Sequence, residues 1–272
     1  MNFESIENQE NNNAIIEETL KTREELDLKL AELNNASNEE EQQNILREIN
    51  ELKESLKEMN EILKKELIKR AKKKAEEIRG DKEAIQKEDS TYVLRELSED
   101  EKYYVRCGVA KNPNTPIEVL KKLSKDKDSS VRYRVAENPN TPIEILRKLS
   151  EDEYVRHRVA ENPNAPTDIL KKLSEDESEY VRCRVAENPN TPIEILRKLS
   201  EDESRSMRWR IALNPNTPID ILKKLSEDED DVVRRGVAEN PNTPIEILRE
   251  LAEDKHSSVR HEAIHNPNYS SI

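Results

Sequence analysis

Glycine is almost absent from this 272-residue chain, which holds only Gly80, Gly108 and Gly236. Three isolated glycines cannot build a phosphate-cradling loop or a nucleophile elbow, so the usual nucleotide-binding and hydrolase signatures are excluded. Aromatic residues are 3% and all hydrophobic residues 33%, against 39% charged, poor material for one thick globular core. No apolar run approaches the roughly 18 residues that span a bilayer, and Met1-Asn2-Phe3-Glu4 offers neither the basic nor the apolar region of a secretory signal. Proline is missing from residues 1–111 altogether, so nothing there interrupts a long helix.

All 13 prolines fall in the remainder, seven of them in Asn-Pro-Asn triplets that begin at Asn112, Asn138, Asn162, Asn188, Asn214, Asn240 and Asn266. The steps are 26 residues except for one of 24, a period that belongs to stacked repeat units. Thin layers suit this composition: each unit buries a small aliphatic stripe against its neighbours. The chain therefore divides into an N-terminal segment, 1–89, and a repeat region, 90–272.

Charge limits the partners. The net formal charge is −13, with −8 in residues 1–90 and −5 in the rest, so neither part has the basic balance of a dedicated nucleic-acid binder. Cys107 and Cys183 stand three repeats apart, beyond disulfide reach for layers about 10 Å thick. Free thiols and the missing signal are read as a cytoplasmic protein.

In the N-terminal segment Ile45, Ile49, Leu52, Leu56, Met59 and Leu63 follow a 4-3-4-3-4 spacing, a seam for another helix. Leu26, Leu30 and Leu33 form a shorter seam before it. Asn34-Asn35-Ala36-Ser37-Asn38 is turn chemistry, with Ser37 and Glu40 spaced as a capping box and Gly80 placed as a C-cap. A helical hairpin or coiled coil is expected, its seam closed on itself or on another chain. Residues 1–13 are expected to be disordered. The basic run from Lys64 to Lys74 is read as complementing a helix C-terminus.

Within a repeat, Thr141-Pro142-Ile143-Glu144 predicts a helix start with Thr as N-cap, Pro at the first position and Glu closing a capping box. Ile143, Ile145, Leu146 and Leu149 are its expected apolar face. Ala165 would then cost one copy its cap. The second element, Val131 to Ala136, turns Val131, Val135 and Ala136 inward. The Asn-Pro-Asn turns predict a stacked asparagine ladder.

The string Val-Arg-x-Arg-Val-Ala-x-Asn-Pro-Asn-Thr-Pro-x-x-x-Leu-x-x-Leu, found at 131–149 and 181–199, resembles the leucine-rich repeat variant family over about residues 90–272. The resemblance implies an all-α, right-handed superhelix of paired helices, the second of each pair α or 3-10, without β-sheet. Members can carry an N-terminal cysteine cluster holding an iron–sulfur centre. No cysteine precedes Cys107 here, so no cofactor is expected. The usual unit is two residues longer than the family's typical one.

Repeats this alike separate fixed columns from free ones; residues 135–153 and 185–203 are identical, the mark of recent duplication or consensus design. Two variable columns of the second element, Cys107, Tyr133, His157, Cys183, Trp209, Arg235 and, three residues earlier, Tyr104, Tyr154 and Tyr180, hold five of the nine aromatics opposite the inward face. Tyr and Trp on a charged surface are interface anchors, or they cover the gap between layers. Arg106, Arg132, Arg156, Arg182, Arg208 and Arg234 fill an invariant column, and Asp100, Asp126, Asp152, Asp176, Asp202 and Asp228 another a few residues upstream. An arginine lying partly inward needs a carboxylate, which predicts a structural Asp–Arg ladder; the alternative is a phosphate-binding rail joined by Arg134, Arg158, Arg184 and Arg210. His256, His261 and His265 lack supporting metal motifs, and the acidic triplets read as solvated helix ends. The resulting expectation is a non-enzymatic scaffold that binds a protein partner through the aromatic-bearing face. A nucleic-acid-binding solenoid and a self-assembling structural protein are the alternatives, with homo-oligomers formed through the N-terminal helices or the repeat ends. The 24-residue step should alter the stacking locally.

Overall fold

A computed structural model describes residues 3–269, and every regular element among them is α-helical. The chain forms two compact units, Met1–Ile78 and Arg79–Ile272. The division falls before residue 89, because the first short helix after Gly80 packs with the repeats.

The first unit is a hairpin of α1 (Phe3–Asn35) and α2 (Glu39–Ile78). Residues 3–13, expected to be disordered, continue α1; they contain no proline or glycine to stop it. Residues 1 and 2 lie outside the described part. The turn is capped one residue later than expected: Asn38 Oδ1 accepts the Glu41 N–H at 2.9 Å. Glu41 reaches back to the Ser37 N–H and hydroxyl, both at 3.0 Å, and these bonds hold its carboxyl below the ordinary value. Ser37 is thus the partner of the cap, since Asn38 is nearer the first helical residue.

The α2 seam is the one read from the spacing, with Ile45, Ile49 and Met59 buried and Leu52, Leu56 and Leu63 half-buried. On α1 the facing positions are Ile15, Thr19, Thr22, Leu26, Lys29 and Leu33, while Leu30 points outward. Lys29 replaces Leu30 because the 3.5-residue period fixes the register. Its ammonium bridges Glu48 at 2.8 Å and Glu32 at 2.9 Å. Thr19 donates to Met59 Sδ at 3.7 Å. Gly80 does not adopt a left-handed backbone. The chain turns there into a helix capped by Asp81, which accepts from the Glu83 and Ala84 N–H groups at 3.0 and 3.1 Å.

The second unit is a two-layered solenoid. It begins with α3 (Lys82–Lys87) and α4 (Thr91–Leu97). Then α5 (Tyr103–Lys111), α6 (Ile117–Leu123), α7 (Ser129–Glu137), α8 (Ile143–Leu149), α9 (Arg156–Glu161) and α10 (Thr167–Leu173) follow. The series closes with α11 (Glu179–Glu187), α12 (Ile193–Leu199), α13 (Arg205–Leu213), α14 (Ile219–Ser226), α15 (Asp231–Glu239), α16 (Ile245–Leu251) and α17 (Ser257–His265). Both helices of each repeat are α. Odd-numbered helices from α3 to α17 pack directly on one another, and each even-numbered helix from α6 to α16 fits against the two odd ones flanking it. Small residues permit the close odd-layer stacking: Ala110, Ala136, Ala160, Ala186, Ala212 and Ala238 are completely buried.

The Thr residues do not cap the even helices. Thr141 Oγ1 donates backward to Val135 O at 2.5 Å, and Thr115, Thr191, Thr217 and Thr243 make the same bond. The helix starts one residue later, with Pro142 in the cap position, so the hydroxyl faces the end of the preceding helix, where Val135 O takes it as a second donor beside the Asn138 N–H at 3.2 Å. Ala165 therefore forfeits a bond to Val159, not a cap. Ile145, Leu146 and Leu149 are buried, but Ile143 is exposed, because the first residue of so short a helix projects past its neighbour.

Asparagines bind the layers together. Asn138 Nδ2 donates to Ala110 O at 2.8 Å and Asn112 O at 2.9 Å of the preceding repeat, while its Oδ1 accepts the Asn140 N–H. Asn112, Asn162, Asn188, Asn214, Asn240 and Asn266 repeat the double donation. The second asparagine forms a parallel rail, for example Asn190 Nδ2 to Pro163 O at 2.6 Å. The 24-residue step leaves this ladder intact: Asn162 bonds Ala136 O at 2.7 Å and Asn138 O at 3.1 Å. The missing residues come from the first turn of α9, which has 6 residues where α7 has 9.

Candidate functional site

Every odd helix presents one outward face, and two ladders beneath it fix its position. Arg106 Nε and Nη2 donate to Asp126 Oδ2 and Oδ1 at 2.6 and 2.9 Å, and Nη1 donates to Asp100 O at 2.7 Å. The carboxylate thus comes from the following repeat; the upstream aspartate supplies only its carbonyl, because its own side chain is turned toward the preceding arginine. Asp126 Oδ1 also accepts the Asp128 N–H at 2.9 Å, ordering the entry to α7. The same two-bond fork joins Arg208 to Asp228 and Arg234 to Asp254; Arg132 donates to Asp152 through Nε alone at 2.6 Å, Arg156 forms an ion pair with Asp176 at 3.0 Å, and Arg79 engages Asp100. Arg182 lies farther from Asp202, at 3.9 Å. The Arg234 guanidinium holds the Asp254 carboxyl below its ordinary value despite partial burial.

On the outward face, Arg134, Arg158, Arg184 and Arg210 form a second column knitted to glutamates. Arg134 meets Glu137 at 2.6 Å, Arg158 meets Glu161, Arg184 meets Glu161 at 2.9 Å and Glu187 at 2.6 Å, and Arg210 meets Glu187. These glutamates were not singled out in the sequence, although the i,i+3 spacing in three consecutive copies signals the pairing. The charges of the rail are thereby largely neutralised.

Aromatic rings lie against this zipper. The Tyr133 ring has Arg134 at 5.2 Å on one side and Arg158 at 4.5 Å. His157 stands 5.8 Å from Tyr133 and 5.1 Å from Tyr180. Arg184 covers Tyr180 at 4.6 Å and donates to its hydroxyl at 3.0 Å. Tyr133, His157 and Tyr180 therefore form one strip across three repeats; Tyr154 stands on the shortened loop before α9. Tyr154 is 70% exposed and Tyr180 48%. Burial, then Arg158 and Arg184, lower the His157 pKa below its ordinary value of 6.5.

Other members of the two columns do not join the strip. Tyr104 packs edge-on against the exposed Tyr103 at 6.1 Å, beside Lys102. Arg235 pairs with Glu239 at 3.1 Å. Cys107 is half-buried, and Cys183 is only 5% exposed, too enclosed to offer a partner contact; burial raises both thiols' pKa values. Trp209 lies over Gly236, where an added Cβ would come within 2.8 Å of the indole. Gly236 stands in the column that Arg134, Arg158, Arg184 and Arg210 occupy in four other copies, and the indole fills the space left there. A second surface column, Ile117, Ile143, Ile193 and Ile219, is 45–61% exposed along the even helices; the expectation that this isoleucine is core hid it.

Among the described residues no cluster of His, Cys, Asp and Glu is placed to hold a metal ion, and His261 and His265 stack on each other at 4.2 Å. No helix there is long and apolar enough to cross a membrane.

A family model for the leucine-rich repeat variant matches residues 232–256, the span of one repeat whose pattern recurs along the solenoid. A solved structure described as a leucine-rich repeat variant with a novel repetitive protein structural motif is 29% identical, covers 67% of this chain and 73% of its own, and superposes with a TM-score of 0.47. No curated protein matches the chain.

Proposed function

We propose that this chain, a protein whose repeat region is of the leucine-rich repeat variant type, is a non-catalytic scaffold that binds a protein partner across repeats two to four. The observation that carries the reading is the continuous strip of Tyr133, His157 and Tyr180, together with the exposed Tyr154. Tyrosines supply large, rigid contact area at low entropic cost and dominate the energetics of such surfaces. Here the rings are pre-positioned by guanidinium groups, so little ordering remains to be lost on binding.

The pairing of Arg134, Arg158, Arg184 and Arg210 with glutamates argues against a phosphate rail. A guanidinium already neutralised by a carboxylate attracts little additional negative charge, so a protein surface is favoured over nucleic acid. The test is affinity capture from a lysate with the full chain and with a Tyr154→Ser/Tyr180→Ser variant. Both substituted side chains are exposed, so the two proteins should melt alike while the variant loses the specific partner. An unchanged set of captured proteins would refute the assignment.

A further inference from the structure

The hairpin unit has two chemically different flanks. In an antiparallel helix pair, one residue past each seam position leads to the same side on both helices, and one residue before it leads to the other side, because successive side chains are about 100° apart. The seam itself is marked by burial, from Ile15 to Leu33 on α1 and from Ile45 to Glu66 on α2.

The side reached one residue past the seam carries Ile16, Leu20, Leu30, Leu46 and Leu67, each 39–56% exposed. Its charged residues are Arg23, Lys53, Lys57 and Lys64 against the single acid Asp27. Arg23 and Lys53 make no ion pair among the described residues, whereas Lys57 meets Glu54 at 3.1 Å and Lys64 meets Glu61 at 3.6 Å, so Arg23 and Lys53 supply the unpaired positive charge. The opposite side carries Glu18, Glu25, Glu32, Glu48, Glu51 and Glu58 against Lys21 and Lys65; Glu32 and Glu48 are held by Lys29, which leaves the other four to set its charge. Its exposed apolar residues are Leu28 and Ile62. One flank is apolar and cationic; the other is acidic.

We infer that the occupant of the apolar, cationic flank is the acidic flank of a second copy of this chain. Complementary charge on the two flanks favours that pairing and sets like charges against each other when identical flanks meet. Because the two surfaces differ, the contact is heterologous and leaves one flank free on each outer molecule, so association continues beyond a dimer as concentration rises. Long exposed leucine and isoleucine side chains on both surfaces provide the apolar contact, and the charges set which flank meets which.

Sedimentation of the full chain across micromolar to sub-millimolar concentrations tests this. The wild type should gain mass with concentration and lose it with added salt. An Arg23→Glu/Lys53→Glu variant turns the cationic flank acidic, and a Glu18→Lys/Glu25→Lys variant cancels the acidic excess of the other flank, leaving four glutamates against four lysines. All four positions are exposed, and circular dichroism checks that helicity is retained. Each variant alone should associate at least about tenfold more weakly, and an equimolar mixture should recover association. A wild type that stays monomeric throughout the range, variants that associate as it does, or a mixture that fails to recover would each overturn the assignment. The partner-binding strip lies on other residues, so capture by the solenoid face and self-association of the hairpin fail independently.

Discussion

The hairpin and the solenoid solve the same problem, a sparse supply of apolar residues, in opposite ways. The solenoid joins its layers with repeated directional contacts: each layer is tied to the one before it by two asparagine bonds, and arginine–aspartate contacts, two-bond forks at Arg106, Arg208 and Arg234, tie it to the one after. The hairpin instead places Thr19, Thr22 and Lys29 in its seam and, among the described residues, leaves eight large apolar ones exposed. Directional bonds specify one register for the solenoid, whereas the hairpin seam specifies its register mainly by spacing. The polar wiring also frees the outward face of the odd helices to vary.

The sharpest way to break the comparison is to cut a buried rung. Arg234 is 5% exposed and grips Asp254 with two bonds, so Arg234→Ala leaves an unpaired carboxylate and should cost about 3–5 kcal/mol in urea unfolding. Arg182, farther from Asp202 and partly exposed, should cost about 1 kcal/mol or less when changed to alanine. Equal losses would mean that the ladder does not gain its strength from burial. Next in size is Asn240→Ala, which removes the side-chain bonds to Ala212 O and Asn214 O, the latter keeping the Thr217 N–H, and should cost about 1–3 kcal/mol. In the hairpin, by contrast, Thr22→Leu should stabilise by about 1 kcal/mol, since a half-buried polar seam position would gain apolar contact. A loss there would show that the Thr22 hydroxyl bond to Glu18 O matters more than the seam.

The sequence reveals these differences unevenly, for a physical reason. A period marks columns, so the Asn, Arg and Asp positions are visible as things the scaffold repeats. It does not say which layer a side chain reaches, and Arg106 could not be assigned to Asp126 over Asp100 from spacing alone, since both are present in every copy. The Thr hydroxyls illustrate the same limit: Thr141 stands where a cap is common, but the chain path turns it back to Val135. Cys183 and Trp209 share a variable column, yet one is enclosed and the other rests on Gly236. Their surroundings depend on the neighbouring repeat's residue, which a single-repeat reading leaves out. The aromatic strip is legible as Tyr and His at matching positions, while its contiguity depends on the shortened first turn of α9 and on Arg158 and Arg184 holding the rings.

The smallest expected effect is a dependence on pH that distinguishes the strip from the rest of the solenoid. Burial and two neighbouring arginines depress the His157 pKa below 6.5, so the folded protein resists protonation at this ring more than the unfolded chain does. The associated stability is fully present above the unfolded value of about 6.5 and is lost as pH falls toward and through the lower folded value. The ladder carboxylates respond in a separate window: Asp254 is depressed below 3.8, and its contribution is lost only in stronger acid. Melting curves between neutral pH and pH about 5 should therefore fall slightly for the wild type and less for His157→Asn, which cannot take up the proton. If both proteins lose stability equally over that window, the imidazole is not the group responsible, and the arginines flanking it do not exert the field that their distances from Tyr133 and Tyr180 imply.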